Sequence, residues 1–150
     1  MKYDTEEVLF VEGDLDIDNF SLEEIVNSSK SVLTYSYEPI FSDKAVVLIR
    51  DDNGNYKYAY NSSHGLLRID EPFSCILNSG QTWKFRNIDA LNDANNAFYS
   101  VEKGETNLRI IQRYFDMEKD VELISLKRWT NCNTREDYQA IRERWETEEK

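Results

Sequence analysis

The chain has one histidine, two cysteines, two prolines and five glycines among its 150 residues. Each scarcity removes a class of chemistry. Any Ser-His-Asp or Cys-His mechanism must run through His64, and that residue sits in the turn-rich stretch Asn61-Ser62-Ser63-His64-Gly65, where serines are ordinary loop residues. One histidine and two scattered cysteines make no recognisable zinc site. Cys75 lies in the apolar run Phe73-Ser74-Cys75-Ile76-Leu77 and Cys132 between two asparagines, so two reduced thiols with no shared role are expected. The glycines form neither a dinucleotide-binding fingerprint nor a P-loop. No apolar run approaches the ~18 residues of a spanning helix, and the Met1 end lacks the basic, apolar and small-residue succession of a signal peptide. A soluble, cytoplasmic protein is expected.

What the chain has in abundance is acid. Its 29 Asp and Glu against 18 Lys and Arg give a net charge of −11, which argues against direct binding to nucleic acid or an anionic membrane. Residues 1–38 hold ten acids and two bases, so most of the imbalance lies in the first quarter. There Glu12, Asp14, Asp16 and Asp18 occupy every second position. On a strand such carboxylates stand roughly 6.6 to 6.8 Å apart along one side. With this many candidate carboxylates, no particular pair is singled out for acid–base catalysis.

The same run begins like a calcium loop but does not continue as one. Taking Asp14 as position 1, the required Gly at position 6 is Asn19, the hydrophobic position 8 is Ser21, and the bidentate Glu at position 12 is Ile25. Asp51-Asp52-Asn53-Gly54-Asn55 fails likewise, its twelfth position being Ser62, and hairpin chemistry accounts for it. Two readings of the comb remain. It is a solvated edge strand whose like charges discourage pairing with other chains, or a row of phosphate-like charges that docks on a basic protein surface. Crowded carboxylates cost stability unless neutralised, so changing the three aspartates to Asn is expected to leave thermal stability equal or higher.

A coarse pass along the chain predicts strands at Val8 to Val11 and Asp14 to Ile17, then a helix over Ser21 to Ser28 with a Ser21/Glu24 capping box and a Phe20/Ile25 staple. Strands follow at Ser31 to Tyr37, Ala45 to Arg50 and Tyr56 to Tyr60, the last two joined by a three-residue loop with Gly54 in the left-handed region. That register puts Val46, Leu48, Tyr58 and Tyr60 on one face. Further strands are expected at Leu66 to Ile69, Phe73 to Leu77, Thr82 to Arg86 and Val121 to Trp129. Helices are expected over Ile88 to Val101 and after Thr134, the latter with Tyr138, Ile141 and Trp145 inward. Leu108 to Phe115 fits helix and strand equally.

The expected fold is α+β in a single domain over residues 1–150: a mostly antiparallel, curved sheet of about five to seven strands with two to four helices packed on one face. The expected function is a small, acidic, non-enzymatic interaction protein that binds and blocks a basic, nucleic-acid-handling protein, as inhibitors, immunity proteins and anti-defence proteins do. Its partner-binding residues would be Glu12, Asp14, Asp16 and Asp18 as charge mimics, with Tyr56, Tyr58 and Tyr60 as apolar anchors. No cofactor, metal or catalytic residue is expected. A small-ligand or peptide-binding module using the aromatic strand faces, Tyr35 and Tyr37 included, is the alternative. A His64-dependent hydrolase or a carboxylate-metal nuclease stands third.

Overall fold

The computed structural model describes residues 6–37, 46–60, 69, 73–97, 107–132 and 134–148. Its elements run β1 (Val8–Val11), β2 (Leu15–Ile17), α1 (Asn19–Asn27), β3 (Ser31–Ser36), β4 (Val46–Arg50), β5 (Tyr56–Tyr60), β6 (Cys75–Ser79), β7 (Thr82–Phe85), α2 (Ile88–Ala97), α3 (Leu108–Met117), β8 (Val121–Ser125), β9 (Trp129–Asn131) and α4 (Arg135–Glu148). This is the α+β fold expected, a curled and mostly antiparallel sheet with four helices. Residues 66–68 of the expected strand and the end of the expected helix beyond Ala97 lie outside the described residues, as does His64.

The main sheet has seven strands in the order β1-β7-β3-β6-β4-β5, with β8 on the far side of β3. β6 and β7 behave as two halves of one bent run along the same side of β3. Ser79 sits opposite Tyr35 and Lys84 opposite Val32, so the register slips by two residues between them. The slip falls at Gly80 and Gln81. Gln81 has φ 52°, and the Gly80 amide donates to the Thr34 carbonyl at 3.0 Å. A Cβ at Gly80 would stand 2.3 Å from Thr34 Oγ1 and 2.8 Å from Leu126 Cδ1, so only glycine lets the chains approach this closely. Bending the run lets β4 and β1 attach to its two ends, which curls the sheet.

The hairpin has the expected loop. Asp51 and Asn55 close it through Asp51 N–H to Asn55 C=O at 2.9 Å, Gly54 takes φ 84°, and Leu48 faces Tyr58. Asp51 Oδ1 accepts the amides of Asn53 and Asn55, both at 2.9 Å, and these bonds hold its carboxyl below the usual aspartate value.

Two pairings differ from expectation. β3 and β8 are parallel, in register from Ser31↔Val121 to Tyr35↔Ser125; the short spacers between neighbouring strands exclude helical crossovers only locally, and the long connection from β3 to β8 includes α2 and α3. The expected strand over residues 121–129 is two strands in two sheets, β8 beside β3 and β9 beside β2. The break occurs where side chains replace a ladder: the Lys127 amide donates to Ser21 Oγ at 3.1 Å and the Arg128 amide to Asp18 Oδ1 at 2.9 Å.

Residues 108–117 resolve as helix because Leu108, Ile111, Tyr114 and Phe115 fall on one face and all four are buried. With α2 they cover Leu33, Leu48, Trp83 and Phe85. Each such side chain, fully buried, contributes roughly 1.5–3 kcal/mol relative to exposure. Val32, one residue from Leu33 and so on the opposite face, joins Ile25, Ile124, Leu126 and Trp129 in a second cluster under α1. α1 therefore adds a layer on the face that α2 and α3 leave open.

The caps also differ. Asp18, not Ser21, caps α1: Asp18 Oδ2 accepts the Ser21 amide and hydroxyl, each at 2.9 Å. Phe20 is 63% exposed, so no staple forms. At the other end of α1 the buried Lys84 donates from Nζ to the carbonyls of Val26 at 2.6 Å and Ser28 at 2.9 Å, placing a cation where the helix dipole is negative. Thr134 and Asp137 cap α4 reciprocally, at 3.0 and 3.1 Å, but Tyr138 points outward at 58% exposure rather than into the expected inner stripe.

Candidate functional site

The chain turns at Gly13-Asp14 and divides the acidic comb between two sheets, β1 in the large one and β2 in the small one. The four carboxylates consequently do not stand in one row. Their environments differ as sharply as their placement.

Asp16 and Asp18 are bound within the fold. Asp16 Oδ2 faces Arg128 Nε at 3.2 Å, with the two side chains only 11% and 13% exposed, and Asp16 Oδ1 accepts the Trp145 indole N–H at 3.0 Å. The Arg128 guanidinium lies 4.1 Å from the centre of the Trp145 ring. This cluster ties α4 to β2. Burial raises the Asp18 pKa, but hydrogen bonds from the Arg128 amide and from the Ser21 amide and hydroxyl outweigh it, leaving the carboxyl below the usual aspartate value. Replacing these two aspartates would therefore break a buried pair and a helix cap. The structure reverses the expectation that neutralising them spares stability.

Glu12 and Asp14 remain at the corner between the sheets. Asp14 is exposed and Glu12 half-buried, and among the described residues neither forms an ion pair. Burial, and then the Asp14 charge, push the Glu12 carboxyl above the usual glutamate value. Glu23 and Glu24 on α1 are likewise exposed and carry no ion pair among the described residues.

The tyrosine stripe splits as well. Tyr58 is half-buried against the core: its hydroxyl accepts the Trp83 indole N–H at 2.6 Å, the rings meet edge to face at 6.0 Å, and burial raises the hydroxyl pKa. Gln112 of α3 accepts the Tyr58 amide at 2.7 Å and donates to the Tyr56 carbonyl at 3.3 Å. Tyr56 packs against the same core, and the Tyr60 side chain lies outside the description. Just past the end of β3, Tyr37 is 80% exposed, edge to face with Tyr35 at 5.5 Å. It borders a cleft of about 190 Å³ shared with Leu126, Lys127 and Trp129. A second groove, of about 540 Å³, sets Lys30 and Arg86 among Glu6, Asp89, Glu118 and Asp120, an excess of acid.

A surface that sequence reasoning passed over lies between β1 and α1. Leu9 stands across from Lys84 and Val11 across from Thr82, so these side chains share the α1 face of the sheet. Lys84 Nζ donates to the Val26 carbonyl, which brings the end of α1 to the same face of the sheet. Leu9, Val11 and Val26 are 41%, 39% and 49% exposed, and Leu22 lies one helical turn before Val26 on the same side of α1. The run Val8-Leu9-Phe10-Val11 reads as buried on both faces, and only the edge position of β1 exposes Leu9 and Val11. Glu7, just before β1, lies 3.4 Å from Lys84 Nζ and 3.8 Å from Arg86 Nε. Glu12 and Asp14 follow the strand at its other end.

Among the described residues no group of three His, Cys, Asp or Glu side chains can hold a metal ion, and no helix is long and apolar enough to cross a membrane. No curated protein matches the chain. Residues 1–145 match the family described as Domain of unknown function (DUF6564), and the chain belongs to that family.

Proposed function

We propose that this is a small, acidic, non-enzymatic interaction protein that binds and blocks a basic protein partner, one whose own cationic surface handles nucleic acid. The observation that carries this reading is the corner at Glu12 and Asp14. Two neighbouring carboxylates stand there without an ion pair among the described residues, and burial, then the Asp14 charge, raises the Glu12 pKa. A cation from a partner would relieve that repulsion, and the net charge of −11 would steer a basic protein toward it. Asp16 and Asp18 position the corner rather than contact the partner, and Tyr56 and Tyr58 pack against the core of the sheet. The test is affinity capture from lysate at low and high salt, with wild type and a Glu12→Gln/Asp14→Asn variant. A basic partner, released by salt and lost in the variant, is the expected result. Retention of the same partner by the variant would refute it.

A second reading rests on Tyr37 and its cleft. The exposed Tyr35–Tyr37 pair beside Trp129 and Lys127 suits a small planar ligand or a peptide. A ligand screen by thermal shift separates the two readings, since a compound held by this cleft raises the melting temperature and loses its effect in Tyr37→Ala.

A further inference from the structure

β1 is an edge strand, paired with β7 alone among the described residues. The Glu12 amide donates to the Gln81 carbonyl of the neighbouring run at 3.3 Å. Backbone groups alternate sides along a strand, so Phe10 and Val8 also direct theirs toward β7 while Leu9 and Val11 direct theirs outward. Leu9 and Val11, whose side chains are partly exposed, are thus the two whose backbone groups have no strand partner among the described residues. An extended segment laid along β1 would gain hydrogen bonds there and place alternate side chains over Leu9 and Val11.

The ends of the strand decide what that segment is. Glu6 and Glu7 precede β1, and Glu12 and Asp14 follow it. A second copy pairing antiparallel at this edge would bring carboxylates against carboxylates, which disfavours self-association. A segment carrying lysine or arginine between its apolar residues meets the opposite condition. We infer that the outer edge of β1, with the exposed Leu9 and Val11 side chains beside it, accepts an extended, cationic and apolar-alternating segment of the partner as an added strand. This rests on the acidic-interaction reading above and gives it a docking mode.

The probe is a short peptide alternating lysine and valine, compared with its glutamate-for-lysine counterpart and with a form N-methylated at the amides meant to face β1. The full chain is titrated with each while backbone amide shifts are followed by NMR. Expected are shifts and exchange protection centred on Leu9 and Val11 with the lysine peptide, and binding weaker by about tenfold or more for each of the other two. Leu9→Thr/Val11→Thr retains strand propensity at exposed positions and reports on these two side chains with little risk to folding; its folding is checked by circular dichroism, and it should bind the lysine peptide severalfold more weakly. If the N-methylated peptide binds as well as the parent, or if charge-dependent binding maps away from β1, the edge mode falls and the acidic-interaction reading stands. If lysine and glutamate peptides bind alike, that reading falls too. No binding of the lysine peptide overturns the edge mode.

Discussion

Neutralising Asp16 should destabilise the protein, while neutralising Asp14, two residues away, should not. Asp14 is exposed and forms no ion pair among the described residues, so Asp14→Asn is expected within about 0.5 kcal/mol of wild type. Asp16→Asn keeps an oxygen for the Trp145 indole but removes the charge facing Arg128 across 3.2 Å, in a pair whose side chains are at most 13% exposed. Removing one partner of such a pair typically costs about 3–5 kcal/mol, because the other charge stays desolvated. The stacking of Arg128 on Trp145 survives the change and favours the lower figure, about 3 kcal/mol. With a urea slope of about 2 kcal/mol/M, the unfolding midpoint should fall by roughly 1.5 M at unchanged slope. Arg128→Met should cost a similar amount, and the double variant much less than the sum, giving a coupling of about 2 kcal/mol. Equal stabilities for Asp14→Asn and Asp16→Asn would refute the internal role of Asp16, as would strict additivity in the cycle.

Three further outcomes follow from the same geometry. Gly80→Ala should cost about 1–3 kcal/mol by urea unfolding, because the added methyl meets Thr34 and Leu126 at 2.3–2.8 Å; an unchanged midpoint would mean that the bend between β6 and β7 does not depend on glycine. Asp18→Ala should cost about 2 kcal/mol through the lost cap. Since the Asp18 pKa is lowered in the folded state, this stabilisation is present above the unfolded value of about 3.9 and disappears as the pH falls through the folded one. Glu12 carries the opposite sign: its raised pKa makes the ionised side chain unfavourable at neutral pH, so Glu12→Gln should raise the melting temperature there, with the gain vanishing below the ordinary glutamate pKa.

How much of this was legible beforehand depends on how local the determining interaction is. The hairpin around Gly54 was readable because register, like-charge avoidance and turn chemistry all reside within fifteen residues, 46–60, and agree with one another. The ambiguity at Leu108–Phe115 was equally local, and only the sheet face it packs on decides it. Asp18 shows the opposite case. A capping box at Ser21 and Glu24 is plausible in isolation, but Asp18 wins because one of its oxygens also serves the Arg128 amide, a bond spanning 110 positions. The Asp16–Arg128–Trp145 cluster likewise joins residues 129 positions apart. Period-2 spacing of charge predicts which residues share a side of a strand, but it is silent on where the strand ends. Here Gly13 and Asp14 end it in the middle of the pattern.

The placement of the acidic residues follows from what each would cost elsewhere. Two carboxylates as close as Asp16 and Asp18 can be held inside only because Arg128 answers both, one through its guanidinium and the other through its amide. Glu7 is held by Lys84 and Arg86. Glu12 and Asp14 have no such answer among the described residues, so their repulsion acts against the folded chain at low ionic strength. Surface charge of one sign that destabilises its own fold is relieved in two ways, by salt or by a cation held in place. A partner that supplies the cation recovers that free energy on binding, and added salt removes the same difference, so affinity for the partner should fall with ionic strength as the stability of the free protein rises.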